Sequence, residues 1–185
     1  MIILTIVGAR PQIIKAAALS RVISNNFQNI EEIIVHTGQH YDKNMSDVFF
    51  KELDINEPDF NLGVGSGSHA IQTSSMMVGI HKIIVKELPD YVLLYGDTNS
   101  TLAGSIVCSK YSDIRVGHIE AGLRSYNRKM PEEINRIITD EISDIYFTTE
   151  SSGTNNLLKE GRKILILTER LSEINWFYEH LGYQY

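Results

Sequence analysis

The chain has 185 residues with a formal net charge of −6, 43% hydrophobic residues and 22% charged residues. This balance is typical of a globular domain and argues against general nucleic-acid binding, so an anionic ligand must be held by a local group of cations. The single cysteine, the first residues and the lack of a ~20-residue apolar run predict a cytoplasmic protein without disulfides, cysteine-bound zinc, a signal peptide or a membrane span.

Short apolar runs alternate with amphipathic segments along the whole chain. Short apolar runs bounded by turn residues are typical of buried strands, whereas apolar residues at helical spacing predict amphipathic helices. The predicted strands are 2–7, 31–36, 91–95, 114–119, 145–148 and 164–168. The predicted helices are 13–25, 42–53, 69–88, 99–110, 131–143, 151–160 and 169–181.

This alternation predicts an α/β fold, a Rossmann-like doubly wound parallel sheet with helices on both faces. In such folds ligands bind at the carboxyl ends of the strands. Polar clusters follow four of the predicted strands, at 8–10, 37–40, 96–98 and 118–120. The sequence therefore predicts a site at this edge of the sheet.

The first cluster places two cations, Arg10 and Lys15, at a strand-to-helix turn. The helix dipole disfavours a cation in the first helical turn, and free N–H groups at a helix start bind phosphate, so a bound anion would explain both features. The alternative is that both cations are solvated. The segment matches neither a P-loop nor a dinucleotide-binding fingerprint, so it does not indicate ATP or NAD.

Carboxylates follow two of the other strands and begin a helix. Asp97 could cap the next helix, but Thr98 can also do so, which favours a chemical role for Asp97. Glu120 precedes Ala-Gly, and we expect its side chain in the cleft. Glu132 and Glu133 fall in the first turn of a helix, where the dipole favours carboxylates, so a structural role is an alternative for both.

The helix predicted at 131–143 has one apolar stripe, which we expect to be buried. The stripe consists of Ile134, Ile137, Ile138 and Ile142. The polar residues expected mainly on the other side are Asn135, Arg136, Thr139 and Asp140. No histidine or carboxylate spacing demands a metal ion, so we expect no metal site.

Five segments, in this order, resemble the non-hydrolysing UDP-N-acetylglucosamine 2-epimerases. They are GARPQ at 8–12 with Lys15, TGQH at 37–40, GDT at 96–98, HIEAGLR at 118–124 and PEEINR at 131–136. The resemblance implies one half of a GT-B fold and interconversion of UDP-N-acetylglucosamine and UDP-N-acetylmannosamine for surface-polysaccharide synthesis. It also implies a UDP-sugar substrate, no cofactor or metal, and a cytoplasmic homodimer.

The resemblance implies a mechanism in which UDP is eliminated from C1 and added back after C2 has been reprotonated on the other face. The acid/base candidates at the matching positions are Asp97, Glu120 and Glu132. The candidates for binding the nucleotide-sugar or steadying the carboxylates are Arg10, Lys15 and Arg136. Gln39 and His40 match a region that binds a regulatory UDP-sugar in some members, although the Tyr-Asp pair that follows departs from that pattern.

Three alternatives accompany this interpretation. Segments 42–50, 61–69 and 125–131 resemble epimerases that act on UDP-2,3-diacetamido-glucuronate, in which Arg128 and Lys129 could meet the extra carboxylate. Half of a GT-B glycosyltransferase would explain the strand pattern and the cations, but not three carboxylates in the cleft. The third alternative is a non-catalytic UDP-sugar-binding module.

The resemblance covers residues 1–162, which we predict to be an N-terminal Rossmann-like epimerase domain. Residues 163–185 are predicted to be a divergent strand and helix. The family continues at this point into a second GT-B domain that grips the nucleotide. We therefore expect a complementary C-terminal domain or a second copy of the chain as partner, no nucleic-acid or membrane partner, and impaired activity in this form.

Overall fold

The computed structural model describes residues 1–38, 57–162 and 166–167. Its strands are β1 (Ile2–Val7), β2 (Glu31–His36), β3 (Phe60–Asn61), β4 (Tyr91–Tyr95), β5 (Arg115–Ile119), β6 (Ile145–Thr148) and β7 (Ile166–Leu167). Its helices are α1 (Arg10–Asn26), α2 (His69–Glu87), α3 (Asn99–Cys108), α4 (Pro131–Ile142) and α5 (Ser151–Lys159).

The strands form one parallel sheet in the order β3-β2-β1-β4-β5-β6-β7. The chain starts in the middle at β1, builds one half outwards to β3, and returns to β4 on the other side of β1. This reversal is the switch point at which parallel α/β sheets bind ligands. The register pairs Val7 with His36, and Tyr95 with Ile119, so neighbouring strands end together.

The sheet has a hydrophobic core on each face, because successive side chains of a strand point to opposite sides. Ile3 and Val7 of β1 pack with Ile13 of α1 on one face. Leu4 of β1 packs with Met76 of α2 and with α3 on the other face. The predicted α/β fold, with a doubly wound parallel sheet and helices on both faces, is confirmed.

Two elements differ from the prediction within the described residues. Helix α1 begins at Arg10, three residues earlier than predicted, with Pro11 in its first turn, where proline is favoured. The two-residue strand β3 pairs with β2 where a loop was expected, because so short a strand leaves no periodic pattern. The predicted helices at 42–53 and 169–181 lie outside the described residues.

Burial on α4 is the reverse of the prediction. Its four isoleucines are half-buried, whereas the buried residues are Glu133, Asn135, Thr139 and Asp140. Periodicity identifies an apolar face, but it does not say whether that face meets the core. Here the polar face packs against the turns that follow β4 and β5.

The outer side of α2 also carries apolar residues at a spacing of seven. Ile71, Val78 and Val85 are 66%, 58% and 54% exposed. A cavity of ≈ 420 Å³ lies between α2, α3 and the start of α4 and includes Met77, Leu102 and Ile134 in its lining. The described helices include none that is long and apolar enough to cross a membrane.

Candidate active site

Two carboxylates meet at neighbouring strand ends. Asp97 follows the turn at Gly96, which has a φ of 63°, and Glu120 follows β5 directly. The N–H of Gly96 donates to the Ile119 carbonyl over 2.9 Å, which joins the two turns. A Cβ added to Gly96 would lie 3.1 Å from Glu120 Oε2, so the Glu120 carboxylate lies against the turn that carries Asp97.

Glu120 has a strained backbone. Its φ is 72°, in the left-handed region that costs a non-glycine residue about 1 kcal/mol. The N–H groups of Glu120 and Ala121 both donate to the Phe147 carbonyl over 3.0 Å, and Lys15 forms an ion pair with Glu120 Oε2. Such strain persists where surrounding contacts over-determine it, which is common at functional sites.

The start of α1 differs from the predicted phosphate site. Because the helix begins at Arg10, Lys15 lies in its second turn rather than its first. The N–H groups of Gly8 and Ala9 donate to Gln12 Oε1 over 2.7 and 3.1 Å, so these donors are already used. Arg10 is exposed, whereas Lys15 reaches Glu120. This turn therefore contributes a lysine beside a carboxylate, not a ring of free amides.

Gln12 is a site residue that sequence reasoning missed. Its buried side chain donates from Nε2 to Thr98 Oγ1 over 3.0 Å and to Thr101 Oγ1 over 3.1 Å. It therefore fastens the start of α1 to the start of α3, which follows Asp97. The sequence signal was its place as third residue of the helix, where a glutamine can complete a capping box.

Helix α4 holds Asp97 by two different groups. Arg136 donates from Nε and Nη2 to Asp97 Oδ2 over 3.0 and 2.6 Å. Asn135 donates from Nδ2 to the Asp97 carbonyl over 2.8 Å. The side chain of Asp97 remains 32% exposed, so its carboxylate is fixed but open to a ligand.

The two neighbouring glutamates of α4 have different environments. Glu133 is buried and accepts hydrogen bonds from Arg136 Nη1, the Ser125 N–H and hydroxyl, and the Tyr126 N–H, at 2.8–2.9 Å. Glu132 is half-buried, and its side chain has no hydrogen bond or ion pair with any described residue. Glu132 is therefore open to a ligand, whereas Glu133 fixes the loop at 125–126 and Arg136.

These contacts shift the pKa of Glu133. Burial alone would raise it, but the Ser125 and Tyr126 donors and Arg136 outweigh burial and hold the pKa below its usual 4.5. A lowered folded-state pKa contributes stability that is full above the unfolded-state value and is lost as the pH falls through the folded-state value.

Glu133→Gln should lower the free energy of unfolding at neutral pH by about 2 kcal/mol, because a neutral amide would replace the ionised carboxylate that accepts hydrogen bonds from buried donors. The difference in the free energy of unfolding between this variant and the wild type should shrink as the pH falls below 4.5. Urea unfolding followed by circular dichroism across this range checks both points. Glu132→Gln is the matched control and should lower stability by less than about 1 kcal/mol, since it loses only the interaction of its charge with the helix dipole. A difference between Glu133→Gln and the wild type that stays constant at every pH would contradict this account.

Arg124 belongs to the same sequence motif as Glu120, but its side chain pairs with neither Glu120 nor Asp97. Its side chain is only 2% exposed and donates to Asp140 Oδ2 over 2.7 Å and to Glu160 over 2.7–2.9 Å. Asp140 in turn lies 2.6 Å from Nδ1 of the buried His118. Buried His118, Asp140 and the Arg124 side chain therefore form a chain of charged contacts behind the site, which ends at the exposed Glu160. It could not be predicted from the sequence, because Asp140 is distant from the motif.

The structure thus brings together four of the predicted site residues, as the pairs Lys15–Glu120 and Asp97–Arg136. Glu132 is in the first turn of α4, the helix that carries Arg136, and Arg10 is at the exposed start of α1. Gln39 and His40 lie outside the described residues. Among the residues that the structure does describe, no group of three His, Cys, Asp or Glu residues could hold a metal ion. Two ion-paired carboxylates on adjacent turns are suited to proton transfer.

Comparison with known proteins gives close relatives. The chain is 56% identical over 161 residues to a UDP-N-acetylglucosamine 2-epimerase homolog from Methanococcus maripaludis, covering 87% of this chain and 44% of that protein. It is 53% identical over 161 residues to the UDP-2,3-diacetamido-2,3-dideoxy-D-glucuronate 2-epimerase of Pseudomonas aeruginosa, covering 87% and 45%.

A similar protein of known structure is also a UDP-GlcNAc 2-epimerase. The crystal structure of the Methanocaldococcus jannaschii UDP-GlcNAc 2-epimerase in complex with UDP-GlcNAc and UDP superposes with a TM-score of 0.85 at 46% identity, covering 91% of this chain and 46% of that one. The chain thus spans less than half the length of the relatives that it matches. The sequence profile of the UDP-N-acetylglucosamine 2-epimerases matches residues 23–167. The chain therefore belongs to the UDP-N-acetylglucosamine 2-epimerase family.

Proposed function

We propose that this chain supplies the acid/base half of an epimerase that interconverts UDP-N-acetylglucosamine and UDP-N-acetylmannosamine. The observation that carries the proposal is the pair of carboxylates, Asp97 and Glu120, on the adjacent turns after β4 and β5, each with its own cation. A relative of similar fold was crystallised with UDP-GlcNAc and UDP. As the resemblance implies, we place this activity in the cytoplasm. The exposed apolar side of α2 suits the homodimer that the resemblance also implies.

The proposed reaction exchanges a proton at C2 without a redox step. The C1–oxygen bond breaks and UDP leaves with the electron pair, while a carboxylate takes the C2 proton and a double bond forms between C1 and C2. A proton then returns to C2 from the opposite face, and a UDP oxygen re-forms the bond to C1. Carboxylates suit both steps, since they stabilise positive charge on the ring and transfer protons.

The positions of the residues assign them different roles in this reaction. Asp97 and Glu120 approach the sugar from two adjacent turns and are the proton-transfer candidates. Glu132 is the third candidate, because it carries no competing hydrogen bond among the described residues. Lys15 and Arg136 hold the first two carboxylates in place and supply positive charge beside the leaving diphosphate.

A second substrate is favoured by one surface feature. Arg128 and Lys129 are exposed on the loop after Glu120, and Glu133 fixes the start of that loop at Ser125 and Tyr126. Two cations on an anchored loop could meet the sugar carboxylate of UDP-2,3-diacetamido-glucuronate, the substrate class named for the Pseudomonas aeruginosa relative.

Deuterium incorporation at C2 from heavy water tests the function. The chain should be assayed alone and as a fusion in which residues 1–162 are joined to the second half of the Methanococcus maripaludis relative. We expect C2 exchange and epimerisation in the fusion, and little in the chain alone, since the relatives are more than twice as long as the matched part. A fusion that binds UDP-sugar without exchange would favour the non-catalytic module instead.

Both UDP-sugars should be assayed in parallel with this fusion. If the diacetamido-glucuronate is the better substrate, Arg128→Gln should raise the KM for it by about tenfold and leave the KM for UDP-N-acetylglucosamine unchanged. Equal effects on the two sugars would contradict a contact with the extra carboxylate.

A further inference from the structure

We propose that His118 is a positioning residue, held as a doubly protonated ring that clamps the turn of Asp97 to the turn of Glu120. The catalytic part of this inference rests on the proposed function. The structural part, that the buried ring carries protons on both nitrogens, rests on the hydrogen-bond geometry around the ring and on the ionised state of Asp140.

The first proton is required by a backbone carbonyl. His118 is the penultimate residue of β5, and its side chain is fully buried. Its Nε2 lies 2.7 Å from the Gly96 carbonyl oxygen. Because a carbonyl oxygen can only accept, this contact is a hydrogen bond only when Nε2 carries the proton.

The second proton is required by Asp140. Its Oδ1 lies 2.6 Å from Nδ1 of His118, and its Oδ2 accepts from the Gly122 N–H over 3.0 Å and from Arg124 Nη1 over 2.7 Å. Burial would raise the pKa of Asp140, but the histidine and the arginine outweigh burial and lower it. An ionised carboxylate is an acceptor only, so Nδ1 must also carry a proton.

The groups around the ring form a balanced set. The cations are His118 and Arg124, and the anions are Asp140 and Glu160. Tyr146 of β6 donates its hydroxyl to the Asp140 carbonyl over 2.9 Å, and burial together with nearby carboxylates raises its pKa to about 12. A buried charge is tolerated when it is paired and hydrogen-bonded in this way.

The clamp acts on both turns of the proposed site. Gly96 is held by its carbonyl to His118 and by its N–H to Ile119, which fixes the backbone just before Asp97. Asp140 holds the N–H of Gly122, two residues after the strained Glu120. Loss of the second ring proton would release one of the two turns, and small displacements of reacting groups reduce rates steeply.

The protonation state is tested directly on the 185-residue chain by long-range ¹⁵N–¹H correlation of its histidine rings. We expect one buried ring with both nitrogens protonated, assigned by its disappearance in His118→Gln. Asp140→Asn should convert this ring to a neutral form with one proton. His81→Gln is the matched control, since His81 is an exposed histidine of α2 that bonds to Tyr111. A neutral His118 ring in the wild type would overturn the inference.

The positioning role has two readouts. In the chain, His118→Gln should shift the amide signals of Gly96 and Gly122, whereas His81→Gln should not. In the fusion, His118→Gln should lower kcat for C2 exchange by about 10²-fold with little change in KM, because the substrate contacts stay in place. Unshifted amides or unchanged kcat would overturn the positioning role. If the wild-type fusion shows no exchange, the proposed function fails, while the ring and amide signals still decide the clamp.

Discussion

Glu120→Gln in the fusion is expected to lower the rate of C2 exchange by about 10²- to 10⁴-fold, the usual contribution of a proton-transfer group. The amide has nearly the same shape as the carboxylate but does not take up a proton at neutral pH. The affinity for UDP should stay the same, because the leaving group contacts other residues in this mechanism. Exchange measured by proton NMR and UDP binding measured by calorimetry separate the two effects.

The control for this substitution is Asp113→Asn. Asp113 is an exposed carboxylate away from the site, and its side chain accepts only from the neighbouring Ser112 hydroxyl among the described residues. It should leave exchange and stability at the wild-type level. Exchange that survives Glu120→Gln undiminished would remove Glu120 from the proposed chemistry.

Glu120→Gly distinguishes lost chemistry from lost folding. Glycine adopts a positive φ without strain, so this variant should unfold with a free energy about 1 kcal/mol higher than the wild type. Loss of the partly exposed ion pair with Lys15 offsets only a small part of this gain. A variant that is more stable and yet inactive would show that the strain at Glu120 serves the site.

The edge of the sheet that forms the site could be predicted from the sequence. The apolar runs ending at Val7, Tyr95 and Ile119 mark strands because each is short and followed by turn residues. Parallel strands place their carboxyl ends together, so Asp97 and Glu120 were expected at one edge. Their pairing with Arg136 and Lys15 follows from that placement and from the charges.

The orientation of α4 could not be predicted in the same way. Its isoleucines recur at helical spacing, yet the face that is buried carries Glu133, Asn135 and Asp140. This face is buried because it satisfies turns that lie far away in sequence, at Asp97 and Gly122. Local periodicity contains no information about such partners, so it also left Glu132 and Glu133 indistinguishable.

The Arg124 contact illustrates the same limit. A motif with an arginine beside a glutamate suggests one shared site, but the side chain turns to Asp140 and Glu160 instead. Only the packing of α4 and of the end of α5 against the loop decides this. Hydrogen-bond donors at the start of α1 were likewise expected to be free, and they are used by Gln12.

Gly122→Ala is expected to have the largest effect on stability, a loss of more than about 3 kcal/mol in the free energy of unfolding. Gly122 has a φ of 80°, and a Cβ there would lie 2.7 Å from the carbonyl carbon of Gly153 and 2.9 Å from its Cα. Neither backbone can move without displacing the loop that follows Glu120. Urea unfolding followed by circular dichroism gives the loss.

Two further glycines separate the causes of this loss. Gly161 has a nearly equal φ of 78° but open space around its Cβ position, so Gly161→Ala should cost only about 1 kcal/mol, the strain of the left-handed backbone. Gly153 lies in α5 without a positive φ, and its Cβ would lie 2.8 Å from the Ala121 carbonyl oxygen. In an open helix position Gly153→Ala would stabilise by about 0.5–1 kcal/mol, so a net loss measures the close approach itself.

The three variants should therefore differ in how much stability they lose. Gly122→Ala combines strain and close approach and should lose the most, and in the fusion it should also lower C2 exchange, because the displaced backbone begins two residues after Glu120. Gly161→Ala should leave exchange intact, since Gly161 lies at the end of α5 beyond these contacts. Equal losses of stability at Gly122 and Gly161, or a gain at Gly153, would show that the loop and α5 are not in contact as described.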